Sequence, residues 1–331
     1  MGDLRGDLAV LRLFVQISGV GAVVATALLA TACASGSTSG AAGGLEKTDL
    51  TVAAVPSFDS ASVYVAEQRG LFAAEGLHVK IVPAVSSSTV IAGQLAGTYD
   101  VTLGAYPGYI LADALHHANL RILAPASEVA PLTKEVLVPA GSPIQNVTQL
   151  KGKRIAVNAL NNIGTLMVSS LLSNYGMPAT DVHFVPMPFQ KMAAALVAHT
   201  VDAAWLSEPF ITSAEESVGA VAVADADQGS AQGIPISGYA VTQSWLDKYP
   251  RTAAAFRRAV LKAQAIANTN LAAVQNAMVA YGDVSRSTAE IASEPGYPLQ
   301  TNPGLLQRVA NLMEQFGMTT QVFDVARIIR G

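Results

Sequence analysis

The sequence predicts an α/β protein built as two lobes around a cleft, and three observations carry that reading. Short apolar runs alternate with helix-period segments from about residue 51 to 224, the pattern of βαβ units and mostly parallel sheets. The alternation comes twice, separated by the basic turn Lys151-Gly152-Lys153-Arg154. A last β-rich run over 236–242 follows the second block and can cross back to the first.

In the first block the pattern predicts strands over 51–56, 79–85, 101–103, 120–124 and 135–138, with helices over 60–72, 89–96 and 109–116. The second block predicts strands over 155–158, 182–186, 201–206 and 220–224, with helices over 164–174, 191–198 and 210–217. From residue 249 the chain turns helical, because Phe256, Val260, Ala263 and Ala267 fall at helix spacing, as do Leu271, Val274, Met278 and Tyr281. Pro295, Pro298 and Pro303 interrupt that tail before a last helix over 305–316. The folded length exceeds one typical core. The expected organisation is residues 48–140 with 240–331 as lobe I, and 141–239 as lobe II.

The start of the chain reads differently. Arg5 and Arg12 precede an uncharged run over 13–32 that ends in Ala30-Thr31-Ala32, directly before Cys33. A basic region, an apolar core and small residues at a cleavage site make a secretory signal. The run approaches the ~20 residues that a membrane span needs, but Ser18, Gly19, Gly21, Thr26 and Thr31 weaken it as one. The segment Leu29-Ala30-Thr31-Ala32-Cys33 resembles the lipobox of bacterial lipoproteins, with Ala30 where Leu is commoner. That resemblance implies a signal peptide over 1–32, a lipidated Cys33 and a tether over 33–47. Residues 34–44 are all Gly, Ala, Ser or Thr, a composition that stays flexible. Asp3 and Asp7 are unusual in such a leader, and translation from near Val10 would leave Arg12 as its positive charge.

Net charge is -4, and removing 1–32 takes away two Asp and two Arg, so it does not change. That excludes the basic footprint of a nucleic-acid binder. Cys33 is the only cysteine, so the body uses no disulfide although an exported protein is free to form one. His78, His116, His117, His183 and His199 share no metal-ligand spacing with carboxylates. Neither a metal nor a cofactor is expected.

Ligands in open α/β sheets sit beyond the carboxyl ends of strands, at loops that open helices. In the first block those loops carry Phe58, Asp59, Ser60, Ser86, Ser87 and Tyr106. In the second they carry Asn161, Asn162, Gly164, Thr165, Trp205 and Glu208. None of these loops holds Lys or Arg, so an anion there would be met by hydroxyls, amides and helix N-termini. Trp205 and Tyr106 are candidate aromatic walls, and Phe189 is assigned to the core. Each Ser or Asn also suits an N-cap. Asp59 and Glu208 suit either a ligand's donor group or the positive end of a helix.

Four segments carry a family resemblance. Ala66-Glu67-Gln68-Arg69-Gly70-Leu71-Phe72-Ala73-Ala74-Glu75-Gly76-Leu77 resembles a signature of nitrate/sulfonate/taurine-type solute-binding proteins. Leu95-Ala96-Gly97-Thr98-Tyr99-Asp100-Val101 is similar to a second element, with its glycine one place early. Leu150-Lys151-Gly152-Lys153-Arg154-Ile155-Ala156-Val157 resembles the start of that family's second lobe. Val201-Asp202-Ala203-Ala204-Trp205-Leu206-Ser207-Glu208-Pro209 resembles a fourth element. Most of these residues read as structural: Gly70 and Gly76 as turn glycines, Leu71, Phe72 and Leu77 as core, Asp100 and Asp202 as braces.

The resemblance implies a type II periplasmic-binding-protein fold with its ligand between the lobes. It implies a monomeric, non-enzymatic, extracytoplasmic component of an ABC importer, anchored to the plasma membrane by lipid. The expected partners are a small-molecule solute, the ABC permease and its ATPase subunit, with no nucleic acid. Aliphatic sulfonate, taurine or nitrate is the first expectation for the solute. A nitrogen heterocycle of thiamine-pyrimidine or riboflavin type is the alternative, and an enzyme on the same fold is a third. Related pyrimidine-precursor synthases use a cysteine-rich run, and no cysteine follows position 33. Stable anchoring needs more than one acyl chain. Cys33→Ala is expected to release the protein from the membrane fraction, and retention of that variant in membranes would sink the lipid reading.

Overall fold

The computed structural model describes residues 44–329; Cys33, the leader and most of the tether lie outside them. Strand β1 (Asp49–Ala54) leads through a short 3-10 turn into α1 (Ala61–Gln68) and α2 (Leu71–Ala74). The helix expected over 60–72 divides there because Gly70 takes φ +65°, a left-handed value that favours glycine. β2 (His78–Pro83), α3 (Ser87–Leu95), β3 (Val101–Ala105), α4 (Tyr106–His116) and β4 (Leu120–Glu128) follow. The second half of the fold holds β5 (Lys134–Val138), β6 (Arg154–Val157), α5 (Ile163–Ser173), β7 (His183–Pro186), α6 (Phe189–Val197), β8 (Ala203–Ser207), α7 (Phe210–Val218) and β9 (Val221–Asp225). β10 (Pro235–Thr242) then opens a tail of α8 (Gln243–Lys248), α9 (Pro250–Ala267), α10 (Leu271–Tyr281), α11 (Arg286–Ile291) and α12 (Pro303–Gln315).

Two five-stranded mixed sheets organise these elements, in the orders β2-β1-β3-β10-β4 and β7-β6-β8-β5-β9. In each, three strands run parallel and a later or earlier strand of the chain inserts antiparallel beside the third. β10 sits between β3 and β4 in the first sheet, so the chain does return. The expected boundaries near 140 and 240 need correction. Residues 135–138 were assigned to lobe I, yet β5 pairs with β8 and β9 of the second sheet. Residues 235–239 were assigned to lobe II, yet β10 belongs to the first. The chain therefore crosses between β4 and β5 and again between β9 and β10. Strand pattern alone does not reveal this, because an apolar run reads the same in either sheet.

The same brace appears in both sheets. Asp100 precedes β3, donates its backbone N–H to the Thr51 carbonyl of β1 and accepts the Thr51 N–H on Oδ2 at 2.9 Å. Asp202 precedes β8 and does the same to Arg154 of β6, accepting its N–H at 2.8 Å. Asp100 also takes the Trp245 indole N–H at 2.9 Å and pairs with Lys47. Asp202 takes the Arg154 guanidinium instead, which holds its carboxyl down to about 2. Both aspartates are thus the braces that the sequence suggested.

The two braces differ in exposure, and that sets their worth. The Asp100 side chain is 12% exposed, whereas Asp202 and Arg154 are 30% and 44% exposed. Hydrogen bonds to a charged, sheltered group contribute about 1.5–3 kcal/mol, while exposed ion pairs give about 0–1 kcal/mol. Asp100→Ala is expected to lose about 2–3 kcal/mol in urea denaturation and Asp202→Ala about half that. Equal losses from the two variants would show that burial does not separate them.

Candidate ligand cleft

The carboxyl ends of β1, β3, β6 and β8 face one another across the two sheets. Between them lies a small cavity of about 40 Å³, room for a few water-sized groups. Val55, Ser57, Asp59, Ser87 and the end of β3 line it from one side, with Ile236 and Ser237 at the start of β10. Asn158, Ile163, Phe189, Trp205 and Ser207 line it from the other.

Lys134 and Asp59 join the two halves. Lys134 opens β5 with its side chain 1% exposed, and its Nζ donates to Asp59 Oδ1 at 3.1 Å. Ser207 Oγ donates to the other oxygen of Asp59 at 3.0 Å. A buried ammonium without a partner is heavily penalised, so this pair holds the first 3-10 turn against the second sheet. The Phe58 N–H donates to the Glu208 carbonyl at 3.1 Å and continues the same seam.

Two polar atoms in the cavity wall have no hydrogen-bond partner among the described residues: the Trp205 indole Nε1 and Asn158 Oδ1. Buried polar groups are normally paired, so a bare donor and a bare acceptor on two residues that line one cavity make it the candidate ligand site. Trp205 is 1% exposed. Its indole is seated by Gly164, where a Cβ would come within 2.6 Å of Cε3. Phe189 is tilted against it at 5.9 Å and is itself stacked on Phe210. Ser87 Oγ accepts the Ala105 N–H at 2.9 Å, which leaves its own hydroxyl proton free to donate.

Of the sequence-predicted residues, the structure brings Asp59, Ser87 and Trp205 to this cavity. Gly164 stands behind Trp205. Ser86 caps α3 through Thr89, and Asn162 with Thr165 forms the capping box of α5. Ser60 Oγ turns back to the carbonyls of Val55 and Ser57. Phe58 and Tyr106 are fully buried in the core; Gly238 makes room for the Tyr106 ring. Asn161 and Asn162 line a separate outer groove. Both oxygens of Glu208 are taken by Thr212 and Ser293, the last from beyond α11. Phe189, read from sequence as core, is buried and also forms part of the cavity wall.

Sequence reasoning does not reach Lys134, Asn158 and Ser237, while Ser57 and Ser207 fall in the expected ligand loops without being singled out. Asn158 and Ser207 stand at strand ends, a signal that existed. Lys134 carried none, since its role depends on an aspartate 75 residues away.

Carboxyl groups crowd the seam beside the cavity. Burial pushes Glu135 up to about 7, helped by Glu215, Asp225 and Glu208. Burial also raises Glu208, against the donors from Thr212 and Ser293. Glu294 is raised to about 8 by burial, and its Oε1 has no partner among the described residues.

The match to known proteins is consistent with this architecture. The family model described as NMT1/THI5 like matches residues 57–270. No curated protein matches the chain. An alkanesulfonate-binding protein from Xanthomonas axonopodis pv. citri, bound to MOPS, is 15% identical with a TM-score of 0.75, covering 87% of this chain and 99% of its own. A periplasmic nitrate-binding protein from Synechocystis PCC 6803 is 15% identical with a TM-score of 0.74, covering 86% of this chain and 87% of its own. A DszB variant in complex with biphenyl-2-sulfinic acid is 16% identical with a TM-score of 0.61, covering 85% of this chain and 95% of its own. At these identities the likeness shows the fold: two lobes of mixed sheet flanked by helices, with a helical carboxyl-terminal region.

The raised Glu294 makes stability depend on pH. Folded, it keeps its proton up to about 8, whereas unfolded it gives it up near 4.5. Its contribution is therefore fully present below pH 4.5 and is lost as pH rises towards 8. Glu294→Gln, neutral at every pH, is expected to flatten the fall in melting temperature across that window and to melt higher than the parent at pH 8. An unchanged pH profile would show that Glu294 ionises normally.

Proposed function

The chain belongs to the NMT1/THI5-like family, and we propose that it is the extracytoplasmic solute-binding component of an ABC importer. In this reading it is a monomer held at the plasma membrane through lipid on Cys33, and it passes a small organic solute to a permease and its ATPase. Solved structures with this fold include proteins that bind alkanesulfonate and nitrate. Another neighbour with the fold is the DszB variant in complex with biphenyl-2-sulfinic acid, so the fold does not decide the ligand and the site must.

The observation that carries the reading is a cavity walled by both lobes, two of whose lining residues, Trp205 and Asn158, each hold a buried side-chain atom (indole Nε1 and amide Oδ1) with no hydrogen-bond partner among the described residues. A solute that accepts from Trp205 and Ser87 and donates to Asn158 or Asp59 completes both. It is held by parts of both lobes, so binding favours the closed arrangement over one with the lobes apart. The cation nearest the cavity, Lys134, is already matched by Asp59. The cavity therefore suits a solute bearing both signs better than a bare anion, and taurine is the member of the sulfonate group that does so. The Phe189–Trp205 wall and the Asp59 carboxylate favour an aminopyrimidine as the second reading.

Binding to the folded state raises its melting temperature. Taurine, alkanesulfonates, nitrate, thiamine precursors and riboflavin form the panel, tested on residues 34–331. Taurine is expected to give the largest shift; a rise with an aminopyrimidine alone would replace the sulfonate reading. Trp205→Phe keeps the ring and deletes the donor, and is expected to weaken the bound solute about tenfold. An unchanged dissociation constant would remove Trp205 from the site.

A further inference from the structure

We propose that the solute is amphiphilic, with its polar head in the inner cavity and an apolar body in a groove that runs outward between α3 and α4. This rests on the reading of the cleft as a solute site and narrows the class of solute it takes.

The groove has a volume of about 270 Å³ and is lined by Ile91, Ala92 and Leu95 of α3, Leu111 of α4 and Leu160 of the loop before α5. Leu95 and Leu160 are 46% and 50% exposed. That volume lies just under the range of about 300–1,000 Å³ typical of small-molecule sites. A protein partner needs a contact of about 1,000 Å² or more, whereas this groove is lined only by short stretches of α3, α4 and the loop before α5.

The two chambers adjoin. Ser87 lines the inner cavity and Ser88 the groove; Ile163 lines the cavity and Asn162 the groove. At Gly108 of α4, a Cβ would lie 3.2 Å from Ile91, 3.3 Å from Asn162 Nδ2 and 3.4 Å from Ser87 Cβ. The wall between the chambers is thus one side chain thick. It is also a seam, because Ser87 and Gly108 belong to the first sheet's lobe and Asn162 to the second's. Because no chain runs through this seam, the lobes can close around a solute that lies across it, with Asn162 set back from Ser87 and Gly108 by the width of the solute's chain. A small polar chamber opening onto a larger apolar one matches a head and a body of opposite polarity.

The test measures dissociation constants for two homologous series, N-alkyltaurines and 5-alkyl-4-aminopyrimidines, from methyl to octyl. In the series whose head binds, each added methylene is expected to tighten binding about three- to fourfold until the groove is filled. The butyl member is then at least tenfold tighter than the methyl member. Ala92 is exposed on α3, so Ala92→Trp fills the groove without entering the core, and it is expected to bring the butyl-to-methyl ratio close to one. A binding series with no chain-length dependence, or an undiminished ratio in Ala92→Trp, overturns the groove while leaving the solute reading in place. Failure of every member of both series, short ones included, overturns both.

Discussion

The contact between Lys134 and Asp59 is the constraint on which the cleft depends. Lys134 is buried almost completely where the chain has just crossed into the second sheet. An ammonium in that position demands an anion, and the anion comes from the other lobe. Its cost and its gain are both large, so the pair acts less as added stability than as a rule about where the lobes meet. Ser207 on the far oxygen of Asp59 makes the rule stricter. With this charge matched internally, the cavity lining offers neutral groups: the Trp205 indole, the Asn158 amide and the Ser87 hydroxyl.

The two lobes solve one problem twice. Each sheet has the same order, three parallel strands with an antiparallel strand beside the third, and each uses an aspartate just before that third strand to hold the first. The brace lies at the ends of the strands away from the cleft, which leaves the carboxyl ends free to carry loops. Because β5 and β10 are exchanged between neighbouring stretches of chain, two crossings of the chain link the lobes. The acidic groups Glu135, Glu208 and Glu294 are all raised by burial, so they take up protons at higher pH than exposed carboxylates do.

Much of the fold was legible from the sequence. The alternation of strands and helices, the returning strand and the helical tail all appear in the structure. The helix expected over 60–72 ends instead before Gly70, the turn glycine, because its left-handed backbone interrupts a helix period that the side chains alone continue. The lobe boundaries failed at residues 135–138 and 235–239, since a buried strand shows the same apolar run whichever sheet receives it. Of the residues expected at a ligand site, Asp59, Ser87 and Trp205 line the cavity beyond the strand ends. Phe58 and Tyr106 also follow strand ends and are nonetheless packed inside.

The local part of this protein was determined by its sequence alone. Ser86 caps α3 and Asn162 caps α5 through partners one to three residues away, and such contacts form wherever the segment is placed. Glycine at 70 and aspartate before a strand act over equally short or regular distances. The tertiary structure decided which polar atoms remained unused. Trp205 is left with a bare N–H because Gly164 admits its ring and Phe189 covers it, and Lys134 is silenced by Asp59 across 75 residues. A hydrogen-bond inventory is completed only when distant segments meet, so the chemistry offered to a ligand is a property of the packed lobes.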